Sequence, residues 1–133
     1  MITAVDSSVL LAIMNQDGGW RAWERALEQA ALQGQLVICE VAFAETSLPF
    51  PDVGSQLEAF RHLQLDYDPI LPEAAHLAGR IFRAYRQAGG PRDHLLPDFL
   101  VAAHARVQAD RMAAVDRGYL RRYFPDLVLL QSG

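Results

Sequence analysis

The stretch "ITAVDSSVLLA", residues 2–12, decides how the rest of the chain is read. Residues 2–5 form a short run with β-branched members, too brief for a helix and apolar enough for a strand buried on both faces. The run stops at Asp6, followed by Ser7 and Ser8 and then by an apolar stretch that reads as a helix over 7–15. Burying a carboxylate is costly unless something positive neutralises it. Asp6 therefore either caps the helix or belongs to a site where negative charge is wanted.

Working outward, short apolar runs alternate with amphipathic stretches. Strands are expected at 2–5, 36–39, 66–71, 112–115 and 127–130. Between them, helices are expected at 20–32, from 40 up to Pro49, and at 53–63, 72–88, 97–109 and 117–124. Apolar positions at helical spacing mark the inward faces. These are Trp20, Trp23, Leu27 and Ala30 in one helix, and Leu57, Phe60 and Leu63 in another. In the helix over 72–88 they are Ala74, Leu77, Ala78, Ile81, Phe82 and Tyr85. Pro72 and Pro97 sit in first-turn positions. Strands separated by helices define an α/β fold, a three-layer α/β/α sandwich with a central parallel sheet. In such sheets ligands gather beyond the carboxyl ends of the strands, which is where Asp6 falls.

The chain of 133 residues is expected to be one domain, spanning 1–133. Its hydrophobic fraction of 51% and charged fraction of 21% are those of an ordinary globular protein. No apolar run approaches the roughly 20 residues needed to cross a bilayer, and no basic region precedes an apolar one at the N-terminus. Cys39 is the single cysteine, which excludes an internal disulfide and a Cys-based zinc site. The expected setting is the reducing cytoplasm. Residues 1–73 hold eleven acids and three arginines, residues 74–133 five acids and nine arginines, so the total of −4 hides halves of −8 and +4. Every Lys+Arg position is arginine. That argues against receiver-like or aspartate-nucleophile phosphoryl-transfer domains and P-loop proteins, which use a lysine on the phosphoryl group.

Four acids are candidates to share the rim. Asp6 ends the first strand, Asp116 follows the run at 112–115, Asp98 opens a helix, and Glu45 lies on the helix after the second strand, on its expected inward side. Taken singly, Asp6 and Asp116 are explained as helix caps worth about 1 kcal/mol each. Asp98 is explained by the helix dipole, and Glu45 as a solvated residue. Taken together they make a hard-oxygen site suited to Mg²⁺ or Mn²⁺. Ions held there would take phosphate oxygens and activate a water for in-line attack on a phosphodiester.

The segments "AVDSSVLLA" (4–12), "VAFAE" (41–45), "LPDFLVAAHA" (96–105) and "AAVDRGYLRRYFPDLVLL" (113–130) resemble, in order and spacing, the motifs of PIN domains. The likeness is to the VapC toxins of toxin–antitoxin pairs, and it covers the whole chain. The resemblance implies a PIN-like α/β/α fold, Mg²⁺- or Mn²⁺-dependent ribonuclease activity, homodimerisation and a VapB-like antitoxin partner. Carried over by motif, Asp6, Asp98 and Asp116 would be the main metal ligands, with Glu45 beside them. Ser7 or Ser8 matches the small polar residue that follows the first acid. Ala114 stands where the family commonly has Thr or Ser.

Other polar residues have plainer readings. Glu40 is expected to be a first-turn helix acid, His104 a packed residue with one hydrogen bond, and His62, His76 and His94 surface residues. Trp20 and Trp23 are expected in the core or at a dimer interface. Arg92 and Arg117 are the candidates for contact with an RNA backbone. The leading expectation is an endoribonuclease; the alternative is a catalytically weak module that binds RNA or a partner.

Overall fold

A computed structural model describes residues 1–132. Four strands form one parallel sheet in the order β3-β2-β1-β4. They are β1 (Ile2–Val5), β2 (Gln35–Ile38), β3 (Leu65–Tyr67) and β4 (Arg111–Ala113). Thr3 of β1 pairs with Leu36 on one side and Arg111 on the other. Successive strand residues point to opposite faces, yet Thr3, Ala4 and Val5, and likewise Leu36, Val37 and Ile38, are all buried. Both faces of the sheet are therefore covered, as the unbroken apolar runs demand.

The covering helices are α1 (Ser7–Met14), α2 (Trp20–Gln33), α3 (Glu40–Glu45), α4 (Val53–His62), α5 (Pro72–Gln87), α6 (Leu96–Gln108) and α7 (Gly118–Tyr123). The chain steps from β1 to β2 to β3 in one direction, then returns to place β4 on the far side of β1. Such a reversal opens a crevice at the strands' carboxyl ends. Asp6 leaves β1 and Asp116 follows β4 at that crevice, and the Asp6 N–H donates to Ala113 O at 2.9 Å.

Phe99 on α6 is wholly buried. Its ring meets those of Phe82 and Tyr85 from α5 at 5.3 and 5.1 Å, and Tyr119 and Tyr123 from α7 at 5.9 and 6.2 Å. The Tyr85 hydroxyl donates to Pro91 O and the Arg86 guanidinium to Gly90 O, tying down the turn after α5. A side chain at Gly90 would collide with the Tyr85 ring, so only glycine fits there.

Several boundaries differ from the sequence expectation. The run at 127–130 is reduced to one parallel bridge between Leu129 and Met112, because only Met112 N–H and O exchange bonds with it at the sheet edge. β3 ends at Tyr67, just ahead of Pro69, which has no N–H for the ladder. α3 stops at Glu45 instead of continuing toward Pro49. The Thr46 hydroxyl bonds back to Ala42 O and Phe43 O, competing with the helix ladder. On α4 the inward face is Gln56 and Phe60, whereas Leu57 and Leu63 are exposed. Gln56 is tolerated inside because its amide donates to Phe43 O at 2.8 Å.

Candidate active site

Asp6 is the N-cap of α1: its Oδ2 accepts from the Ser8 N–H at 3.3 Å and from the Ser8 hydroxyl. The same Ser8 Oγ accepts the Val115 N–H at 3.1 Å, so one hydroxyl stitches the exit of β1 to the exit of β4. Ser7 donates instead to Glu45 Oε1 at 3.1 Å. The two serines thus divide the work, one holding each acid. Glu45 ends α3 and is solvent-exposed, contrary to the inward placement expected for it; Ala42 and Thr46 take the buried positions. It reaches the rim through Ser7.

Asp98 opens α6, where its Oδ2 accepts the Leu95 N–H at 3.0 Å. Asp116 lies beyond β4 with its side chain largely in solvent. Between these two stands His94, which sequence reasoning placed on the surface. Its Nδ1 is 3.6 Å from Asp98 Oδ2 and its Nε2 is 3.7 Å from Asp116 Oδ2. The imidazole stacks on Tyr119 with centroids 4.0 Å apart and planes at 22°. Both residues carried a faint sequence signal: His94 precedes Asp98 by four positions and Tyr119 follows Asp116 by three. That spacing brings side chains together on a helix, but His94 lies in a loop, where the rule does not apply.

The electrostatics tie the cluster together. Burial pushes the Asp6 carboxyl above its ordinary value against the pull of Ser8, and the charge of Asp98 adds to the rise. Partial desolvation of the otherwise exposed Glu45 raises its carboxyl too, opposed by the Ser7 hydrogen bond and reinforced by Asp6 and Asp98. Burial raises the Tyr119 phenol, and Asp6, Asp98, Asp116 and Glu45 all push the same way. Four acids from four parts of the chain therefore bear on one ring. Among the described residues, none of the four has an arginine within ion-pair distance; the arginine salt bridges are Arg61–Glu58 and Arg106–Asp126.

The donor chemistry fits a divalent cation. Asp6, Glu45 and Asp98 each have one oxygen held by a hydrogen bond from the chain, while no bond to the other is present among the described residues. The arrangement is nevertheless open: among those residues no three His, Cys, Asp or Glu side chains converge as a ready ligand set.

The remaining candidates are placed as follows. Arg92 is exposed. Arg117 spends its fork within the protein, donating to Ala114 O, Leu130 O and Gln131 Oε1 and lying over the Trp23 ring at 5.5 Å. Trp23 is core and Trp20 half-buried. His104 is buried with one partner, Asp68 Oδ2 at 2.9 Å, and Glu40 accepts from Ile70 N–H in the first turn of α3. Ala114 is buried.

A four-stranded parallel sheet covered by helices, with Asp6 and Asp116 just past the ends of β1 and β4, defines the class of protein. The chain belongs to the PIN domain family, whose model matches residues 3–125. Members of that family are generally nucleases that use divalent metals. Comparison with curated proteins found no significant match. Among solved structures, the fold is similar to a chain of VapBC2 from Rickettsia felis bound to a promoter DNA fragment. That likeness has TM-score 0.74 and 19% identity and covers 97% of both chains. It is also similar to a chain of VapBC-1 from nontypeable Haemophilus influenzae, with TM-score 0.73, 15% identity and coverage of 99% and 98%. A toxin–antitoxin complex from Klebsiella pneumoniae gives TM-score 0.70 and 16% identity, covering 98% of each chain. No helix among the described residues is long and apolar enough to cross a membrane.

Proposed function

We propose that this protein is a Mg²⁺- or Mn²⁺-dependent endoribonuclease and the toxin of a toxin–antitoxin pair, with Asp6, Glu45, Asp98 and Asp116 as its acidic centre. The observation that carries the reading is the placement of Asp6 and Asp116 just past β1 and β4, with Glu45 held by Ser7 and Asp98 opening α6, none of the four within ion-pair distance of an arginine among the described residues. A cluster of like charges left unpaired is unfavourable unless a cation is meant to enter. A bound divalent ion would supply charge neutralisation for the phosphate and activation of a water.

The chain's own residues do the positioning. Ser8 fixes Asp6 and ties it to β4, Ser7 aims Glu45 at the rim, and the first turn of α6 orients Asp98. Asp6, Glu45 and Asp98 each keep a second oxygen that takes no hydrogen bond among the described residues. Arg92, exposed beside His94, is available to an RNA backbone. Arg117 would have to release its internal partners to serve likewise.

A VapB-like antitoxin is the proposed partner, supported by the VapBC complexes among the structural neighbours. A groove between α1, α2 and the end of α4 sets Leu27, Leu32 and Leu63 beside Glu24, Glu28 and His62. Homodimerisation is proposed from the family likeness.

The test is cleavage of mixed RNA in Mg²⁺, with EDTA and Asp98→Asn as controls. Cutting should disappear with chelator and fall at least about 100-fold in the variant, the scale of losing a charge-stabilising group at a reacting centre. Cutting that survives both controls overturns the metal mechanism. The openness of the acid cluster and the absence of a hydroxyl at Ala114 favour the second reading, a weak nuclease that mainly binds RNA or its partner. That reading predicts retained RNA binding without cleavage by the wild-type protein.

A further inference from the structure

We propose that His94 is a positioning residue that occludes the acid rim: its imidazole spans Asp98 and Asp116 across the space a shared divalent cation would need, and cation entry displaces it. The inference deepens the proposed metal centre and rests on it. One ring addresses two carboxylates carried by different parts of the chain, Nδ1 at 3.6 Å from Asp98 and Nε2 at 3.7 Å from Asp116. These separations exceed those of good hydrogen bonds, so the ring lies against both acids without a tight bond to either and is easily displaced.

The ring does not sit there by chance of an unrestrained loop. Tyr119 stacks on it at 4.0 Å, and the segment leading to it is tied to α5 through Tyr85 with Pro91 O and Arg86 with Gly90 O. Only about a fifth of the His94 side chain is exposed, although it lies in a loop. The bridge offers each acid a polar partner in the cation-free protein and sets a threshold that the ion must overcome.

The test is calorimetric titration of the whole protein with Mn²⁺, comparing wild type, His94→Ala and Asp98→Asn. If the imidazole competes with the ion, His94→Ala binds Mn²⁺ about 3- to 10-fold more tightly, the equivalent of one modest polar contact. Unchanged affinity reduces His94 to a packing residue, and weaker affinity makes it a ligand; either overturns the proposal. Should His94→Ala fail to fold by circular dichroism, His94→Ser is titrated with the same criteria. A second readout is the His94 ring-proton resonance in wild type, displaced by the Tyr119 ring. Mg²⁺ should shift it toward the value of a free imidazole, and no movement counts against displacement. Failure of the underlying reading looks different: Asp98→Asn would then bind Mn²⁺ as tightly as wild type.

Discussion

Asp6 carries two roles in conflict, since it is at once a helix cap and a carboxylate pushed toward its neutral form by burial. Its pKa is raised, by burial first, so the folded state holds the proton more tightly than the unfolded chain does. Stability linked to this group is fully present below the unfolded value near pH 4 and is lost as pH rises through the folded pKa. Asparagine keeps the capping oxygen without the charge. Asp6→Asn should therefore be more stable than wild type at pH 7 without metal, with the advantage vanishing toward pH 3. Thermal melts at both pH values check this, and a variant less stable at neutral pH contradicts it. The residue scale is also where sequence reading was weakest. Asp6, Asp98 and Asp116 announce themselves at strand exits and a helix start, while His94 and Tyr119 acquire meaning only when a loop and α7 fold against each other.

At the scale of elements, the local rules placed β1 and the start of α5 on the expected residues, whereas β2 and β4 each begin one residue early and β4 ends at Ala113. β1 occupies the expected residues because every position is apolar or satisfied, Thr3 accepting from Arg111 at 2.8 Å. Pro72 starts α5 at its expected place. The face of α4 was misread because Gln56 outcompetes Leu57 for the interior once Phe43 O accepts its amide, a long-range bond no periodicity contains. The last strand was misread because its apolar run finds only Met112 to pair with. α6 is the element that joins core to site, with Phe99 buried next to Asp98. Phe99→Ala should cost about 3–5 kcal/mol through cavity formation, measured by urea unfolding. Because Tyr119 packs on the same ring at 5.9 Å, it should also loosen the stack over His94. A loss below about 1 kcal/mol would mean that the aromatic cluster does not hold the rim together.

For the whole molecule, the strand order explains why distant acids meet. The reversal of direction between β2 and β4, on either side of β1, sends the exits of β1 and β4 to one crevice. α3 and α6 then deliver Glu45 and Asp98 to its edge. The architecture was legible as alternating strands and helices, and the PIN likeness was legible in four short segments; the open state of the acid cluster was not, because it depends on how four separate parts of the chain place their side chains after folding. The most direct measurement is a crystal structure of the protein grown with Mn²⁺, with the metal located by its anomalous scattering. We predict a manganese peak ligated by Asp6 and Asp98, with Asp116 drawn inward and His94 moved off Tyr119. A structure in which these acids stay apart and manganese binds elsewhere would contradict the account.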